Sequence, residues 1–166
     1  MKPITLVLGG ARSGKSAYAE SLFSGTATYI ATAEVGDQEM GARIALHKAR
    51  RGPLWSTIEA PYDLPAAMLA QDKPMLIDCL TLWLSNLMLA DHDVEAASTV
   101  LLEALPKLAA PAVFVSNEVG LGIVPDNALA RRFRDQAGLL NQRIATAANR
   151  VVFVAAGLPL VLKDEN

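Results

Sequence analysis

Short apolar runs alternate with longer stretches in which apolar residues return every three or four positions, and that rhythm sets the expected architecture. The runs Ile4–Leu8, Thr28–Ala31, Met75–Asp78, Ala112–Ser116 and Val151–Ala155 read as strands. A sixth, Leu158–Leu162, follows a glycine turn, and Trp55–Ile58 adds an edge piece. These runs are nearly continuous in Val, Ile, Leu and Ala, the pattern of strands covered on both faces. Helical spacing fits Lys15–Ser24, Gln38–Arg51, Leu64–Ala70, Leu80–Leu89, Val94–Leu108 and Asn127–Asn149. Asp37, Asp63 and Asp126 are placed to cap the second, third and last of these. The alternation predicts an α/β fold, a doubly wound and mostly parallel sheet with helices on both faces. No repeat or long linker divides the chain, so residues 1–166 are expected to form a single domain.

Composition changes that picture little and excludes several function classes. Apolar residues make up 52% of the 166 and charged residues 19%, enough to bury a core and too few charges for disorder. The formal net charge of -2 argues against nucleic acid as a partner, because a protein gripping a phosphate backbone is normally basic. The single cysteine, Cys79, forms no internal disulfide and no paired-cysteine metal site, which fits a reducing compartment. No secretory signal is visible, and the greasiest stretch, Leu80–Ala90, is too short to cross a bilayer, so a cytoplasmic location without a membrane span is expected.

The strongest chemical signal follows the first strand. Gly9, Gly10, Ala11, Arg12, Ser13, Gly14, Lys15 and Ser16 match G-x-x-x-x-G-K-[ST] in the required strand-to-helix context. Glycines let the backbone curl so that successive N–H groups point at phosphate oxygens, and the positive end of the following helix is directed there too. Lys15 then reaches the β- and γ-phosphates, and the Ser16 hydroxyl can hold Mg2+. Met75–Asp78 is an apolar strand ending in a carboxylate, which nominates Asp78 as the second metal or nucleotide ligand.

A second segment is unusual for its charge. At helical spacing Arg43, His47, Arg50 and Arg51 share a face, and like charges stacked in this way call for an anion. Neighbouring cations favour the neutral imidazole, which is a nucleophile toward phosphorus. Spacing alone leaves the alternative of a solvated basic face open. His92, in Ala90-Asp91-His92-Asp93, reads as part of a polar turn. Asn117 and Glu118 follow a strand and are expected to face the same crevice as Asp78. Arg131, Arg132, Arg134 and Arg143 fit a solvated face, an oligomer contact or a second anion site equally well.

Taken in order, these blocks resemble the bifunctional adenosylcobinamide kinase / adenosylcobinamide-phosphate guanylyltransferase family of cobalamin biosynthesis. The resemblance spans nearly the whole chain. It rests on Gly9–Ser16, Tyr29-Ile-Ala-Thr-Ala33, Arg43-Ile-x-x-His47 with its trailing basic residues and Trp55, Asn117-Glu-Val-Gly-Leu-Gly-Ile-Val-Pro125 and Leu140-Asn-Gln-Arg-Ile144. It implies a P-loop NTPase (RecA-like) fold assembled as a homotrimer. It also implies phosphorylation of adenosylcobinamide by ATP or GTP, then transfer of GMP from GTP through a guanylylated histidine to give adenosylcobinamide-GDP. By that resemblance His47 carries the GMP, and Thr32, Ala33, Glu34, Lys48, Ala49, Arg50, Arg51, Glu59 and Asp78 complete the nucleotide contacts. The family commonly places proline directly after the arginine pair, whereas here Gly52 precedes Pro53. Competing expectations are a monofunctional P-loop kinase, a protein retaining guanylyl transfer alone, and a GTP-dependent switch or assembly module. The last is disfavoured by the lack of an N/T-K-x-D guanine-reading motif.

Overall fold

The computed structural model describes residues 1–34 and 52–165. Seven strands form one sheet: β1 (Ile4–Gly9), β2 (Ala27–Ala31), β3 (Trp55–Glu59), β4 (Met75–Asp78), β5 (Ala112–Asn117), β6 (Arg150–Ala155) and β7 (Leu158–Asp164). Their spatial order is β3-β2-β4-β5-β1-β6-β7, and every pairing is parallel except β6 with β7. The described helices are α1 (Lys15–Ser21), α2 (Leu64–Leu69), α3 (Leu80–Leu89), α4 (Val94–Ala104) and α5 (Ala128–Ala147).

Alternation along the central strands sends side chains to two cores. Ile4, Leu6, Ile30, Ile77 and Phe114 pack under α2, α3, α4 and α5 on one face. Val7, Leu76, Val113, Val115, Val152 and Val154 face the other way, with Ala19 and Tyr18 of α1 over them. The near-continuous apolar runs are therefore explained as expected, by burial on both faces. β7 is the exception. It pairs on one side only, antiparallel, and Leu158, Leu160, Val161 and Leu162 are all exposed. A run of apolar residues shows that a strand can be covered, and does not show that a helix is there to cover it.

Helix ends depart from expectation for local reasons. The stretch Val94–Leu108 is not one helix. α4 stops at Ala104 and the chain tightens into a 3-10 turn over Leu105–Lys107, because Pro106 has no N–H to give an α-helical bond. The last helix is capped by Asn127, whose side chain accepts the Ala130 N–H at 2.8 Å, and not by Asp126. Asp63 caps α2 as expected, through Ala66 N–H at 3.2 Å. The expected helix Gln38–Arg51 and its cap Asp37 lie outside the described residues.

Candidate functional site

All the parallel strands end on one edge of the sheet, and the chemistry-bearing residues collect there as the general rule for such sheets requires. β1 runs into the loop Gly9–Ser16, which occupies the middle of that edge. Two close approaches explain two of its three glycines, Gly9 and Gly14. A Cβ on Gly9 would lie 2.5 Å from Ser13 Oγ and 2.6 Å from the Val154 carbonyl oxygen. Gly14 has φ +92° and packs on the tip of the β6–β7 hairpin, so that a Cβ there would sit 3.1 Å from Gly157 Cα. The same tip fastens the loop directly, since Gly157 N–H donates to the Ser13 carbonyl at 2.8 Å.

Lys15 is buried, 8% exposed, and its ammonium donates to the Gly10 carbonyl oxygen at 2.9 Å. Among the described residues no carboxylate lies within ion-pair distance of it. The Ser13 hydroxyl is also buried and has no hydrogen-bond partner among the described residues. A buried cation with only a carbonyl for company is costly unless an anion completes it. The loop thus has the electrostatics of a phosphate cradle.

Asp78 closes β4, and β5 lies between that strand and β1, placing the two strands about 10 Å apart at ordinary sheet spacing. The Tyr29 hydroxyl donates to Asp78 Oδ2 at 3.1 Å, from the neighbouring strand β2. Ser16 is half-buried at the start of α1. The donor set of a hydroxyl and a carboxylate is hard and oxygen-only, which fits Mg2+ completed by phosphate oxygens. Among the described residues no cluster of three or more His, Cys, Asp or Glu is arranged to hold a metal without such help.

The other expected contacts lie further out. Thr32, Ala33 and Glu34 follow β2, and Glu59 ends β3 in register with Ala31. β3 is the outermost strand, four positions from β1, which corresponds to about 19 Å. Thr32 is fully buried, and its hydroxyl both accepts from Cys79 N–H at 2.8 Å and donates to Cys79 O at 2.7 Å. Its carbonyl accepts from Asn86 Nδ2 at 2.7 Å, so the start of this segment is tied to α3. Glu34 is exposed and accepts the Tyr62 hydroxyl at 2.5 Å, a bond that raises the Tyr62 pKa above its ordinary value of 10.0. The structure therefore brings the loop and Asp78 to the centre and leaves Thr32, Ala33, Glu34 and Glu59 together at the β2–β3 side. His47, Lys48, Ala49, Arg50 and Arg51 lie outside the described residues, as does the basic face built on Arg43.

Asn117 does not open into the crevice. Its backbone N–H and its Nδ2 reach Thr81 Oγ1 at 2.9 and 3.0 Å, and Asn141 Nδ2 donates to its carbonyl at 3.4 Å. Glu118 N–H instead bonds the Gly9 carbonyl at 3.0 Å, joining the end of β5 to the loop. Burial pushes the Cys79 thiol pKa up, with the Asp78 charge adding to it, so this cysteine is held as an inert thiol. His92 lies in the expected turn and stacks on the Tyr62 ring, centroids 5.6 Å apart. Arg131 holds the Pro125 carbonyl, Arg134 pairs with its neighbour Asp135, and Arg143 bonds Thr99. Sequence reasoning gave no role to Tyr29, Thr81 or Gly157. The signals were a hydroxyl in an apolar strand, another opening an apolar helix, and the turn before β7.

A parallel sheet with a phosphate loop after its first strand, and the carboxylate strand one removed, is the P-loop NTPase fold of the RecA-like kind. The flagellar accessory protein FlaH of Methanocaldococcus jannaschii superposes with a TM-score of 0.54 at 13% identity, covering 98% of this chain and 78% of that one. The P4 protein of bacteriophage phi6, in complex with ADP, gives 0.52 at 13% identity, over 95% of this chain and 52% of its own. These two likenesses concern the fold. Residues 5–162 match the model of the family described as cobinamide kinase / cobinamide phosphate guanyltransferase, and the chain belongs to that family of bifunctional transferases. The bifunctional adenosylcobalamin biosynthesis protein CobP of Pseudomonas aeruginosa is 51% identical over 168 residues, 96% of this chain and 97% of the relative. The protein CobU of Salmonella typhimurium, with the same descriptive name, is 40% identical over 178 residues, 95% of this chain and 98% of its own. No helix among the described residues is long and apolar enough to cross a membrane.

Proposed function

We propose that this chain phosphorylates adenosylcobinamide with ATP or GTP and then transfers GMP from GTP, through His47, to give adenosylcobinamide-GDP. The observation that carries the nucleotide half of this reading is the buried Lys15 ammonium inside the loop Gly9–Ser16, which has no carboxylate partner among the described residues. The loop holds the triphosphate tail in both reactions. Ser16 and Asp78 would hold Mg2+, which offsets charge on the phosphate oxygens when bound. Thr32, Ala33, Glu34 and Glu59 border the nucleoside, and Lys48, Ala49, Arg50 and Arg51 supply its remaining contacts. The chain works as one domain, in the cytoplasm, within a homotrimer.

In the second reaction a neutral His47 nitrogen attacks the α-phosphorus of GTP, the bond to the bridging oxygen breaks, and pyrophosphate leaves. A phosphate oxygen of the phosphorylated corrinoid then attacks the same phosphorus and releases the histidine. Two in-line displacements give net retention at that phosphorus.

The test is incubation with Mg2+ and GTP labelled at the α-phosphate, followed by denaturing electrophoresis. Acid-labile, alkali-stable label on the wild type that is absent from His47→Ala is the expected result. Transfer of γ-phosphate to adenosylcobinamide with no protein-bound GMP leaves a monofunctional kinase instead. Light scattering of the native protein checks the assembly, which should weigh three times the 17.6 kDa chain.

A further inference from the structure

The proposed cycle makes three bonds to phosphorus, and this inference rests on that cycle. In two of them the attacking atom, a neutral imidazole nitrogen or an ionised phosphate oxygen, carries no proton that must be removed. The kinase step differs, because its nucleophile is an alcohol whose proton must leave as its oxygen bonds to phosphorus. That step alone calls for a base near the γ-phosphate end of the loop.

Four carboxylates stand at, or within three residues after, the carboxyl ends of the described parallel strands. Asp78 receives the Tyr29 hydroxyl and is the carboxylate suited to the metal. Glu34 receives the Tyr62 hydroxyl, and Glu59 stands on the outermost strand, about 19 Å from β1. Glu118 is different on both counts. It follows β5, the immediate neighbour of β1, and its own N–H holds the first residue of the phosphate loop at 3.0 Å.

The carboxylate is also fixed in place. Its Oε1 accepts the Gly120 N–H at 2.6 Å, and a Cβ on Gly120 would come within 2.9 Å of that oxygen. Asn117, one residue earlier, is locked to Thr81 by two hydrogen bonds. Beyond it, Leu121, Ile123 and Val124 are exposed, giving an apolar approach suited to an amphipathic acceptor.

We propose that Glu118 is the general base of the kinase step. The acceptor hydroxyl oxygen bonds to the γ-phosphorus, and the bond from that phosphorus to the β–γ bridging oxygen breaks. The nucleoside diphosphate leaves with the electron pair, and the hydroxyl proton passes to Glu118 and on to solvent.

The test compares two readouts on the full-length protein: γ-label transferred to adenosylcobinamide, and α-label taken up by the protein. Glu118→Gln should lower kinase kcat by about a hundredfold or more. The corrinoid KM should stay within about threefold, and GMP uptake should fall by less than about tenfold. Glu118→Asp should recover part of the kinase rate, which a merely misfolded variant would not do. Kinase turnover kept within about tenfold of wild type in Glu118→Gln overturns the assignment, as does an equal loss of both readouts. A wild type that phosphorylates the corrinoid without taking up GMP overturns the histidine step and not the base. A wild type with neither activity overturns both.

Discussion

The loops Gly9–Ser16 and Glu118–Asn127 leave neighbouring strands on the same edge of the sheet, yet one is closed and the other open. The first is pinned from two directions, by the Gly157 amide on Ser13 and by the Glu118 amide on the Gly9 carbonyl, and Gly9 packs close against the Val154 carbonyl of β6. Lys15 is buried inside it. The second has Ile123 98% exposed, and Leu121 and Val124 stand out beside it. The contrast follows from what each would hold. A phosphate tail is small, rigid and common to both proposed reactions, so a preformed ring of donors stabilises its transition states without reorganisation. A corrinoid is large and amphipathic, and an open surface with exposed apolar side chains suits it.

Lys15→Ala tests the closed loop most severely. Both proposed reactions use the same triphosphate tail, so phosphoryl transfer and GMP uptake should fall together, by roughly a hundred- to a thousandfold. The two radiolabel assays read this directly. A loss confined to one of them would show that the loop serves one reaction only. Set beside Glu118→Gln, this variant separates what the two reactions share from what they do not.

Gly9→Ala asks whether the closed loop is also a structural keystone. The added methyl meets Ser13 Oγ at 2.5 Å and a main-chain oxygen of β6 at 2.6 Å, and the latter cannot move without shifting the strand. Overpacking of this kind costs about 2 kcal/mol. In a chain of this size that lowers Tm by about 4–8 °C, measurable by differential scanning calorimetry. An unchanged Tm would mean that β6 shifts at Val154 without loss of stability.

The closed loop was legible in the sequence and the contacts that close it were not. Its glycines, lysine and serine are contiguous, so spacing alone identifies them. The carboxylate at the end of β4 was legible for the same reason, as a single acid after an apolar run. Tyr29 on Asp78 and Gly157 on Ser13 join residues distant in sequence, and only the order β2-β4-β5-β1-β6 brings them together. Strand positions came from apolar runs to within a residue or two, whereas the exposure of β7 depended on which neighbours the topology supplied. The shift from Asp126 to Asn127 at the start of α5 reflects two adjacent residues that are both competent caps. The histidine assignment came from family resemblance, since a histidine among arginines has the same spacing whether it reacts or is merely solvated.

Ile123→Ser makes the smallest change and sharpens the comparison most. The side chain is almost wholly exposed, so the substitution removes little buried area and should alter stability by no more than about 0.5 kcal/mol. A chemical denaturation curve would show the same midpoint as wild type, unlike Gly9→Ala one strand away. If the open loop receives the corrinoid, its apolar contact is lost all the same. Removing about three buried carbons at ~0.8 kcal/mol each, if only partly desolvated in the complex, raises the KM for adenosylcobinamide several-fold. The KM for the nucleotide should not move, because the phosphate loop is untouched. Equal corrinoid KM values for variant and wild type would remove the open loop from the acceptor path and leave Glu118 to be approached from another side.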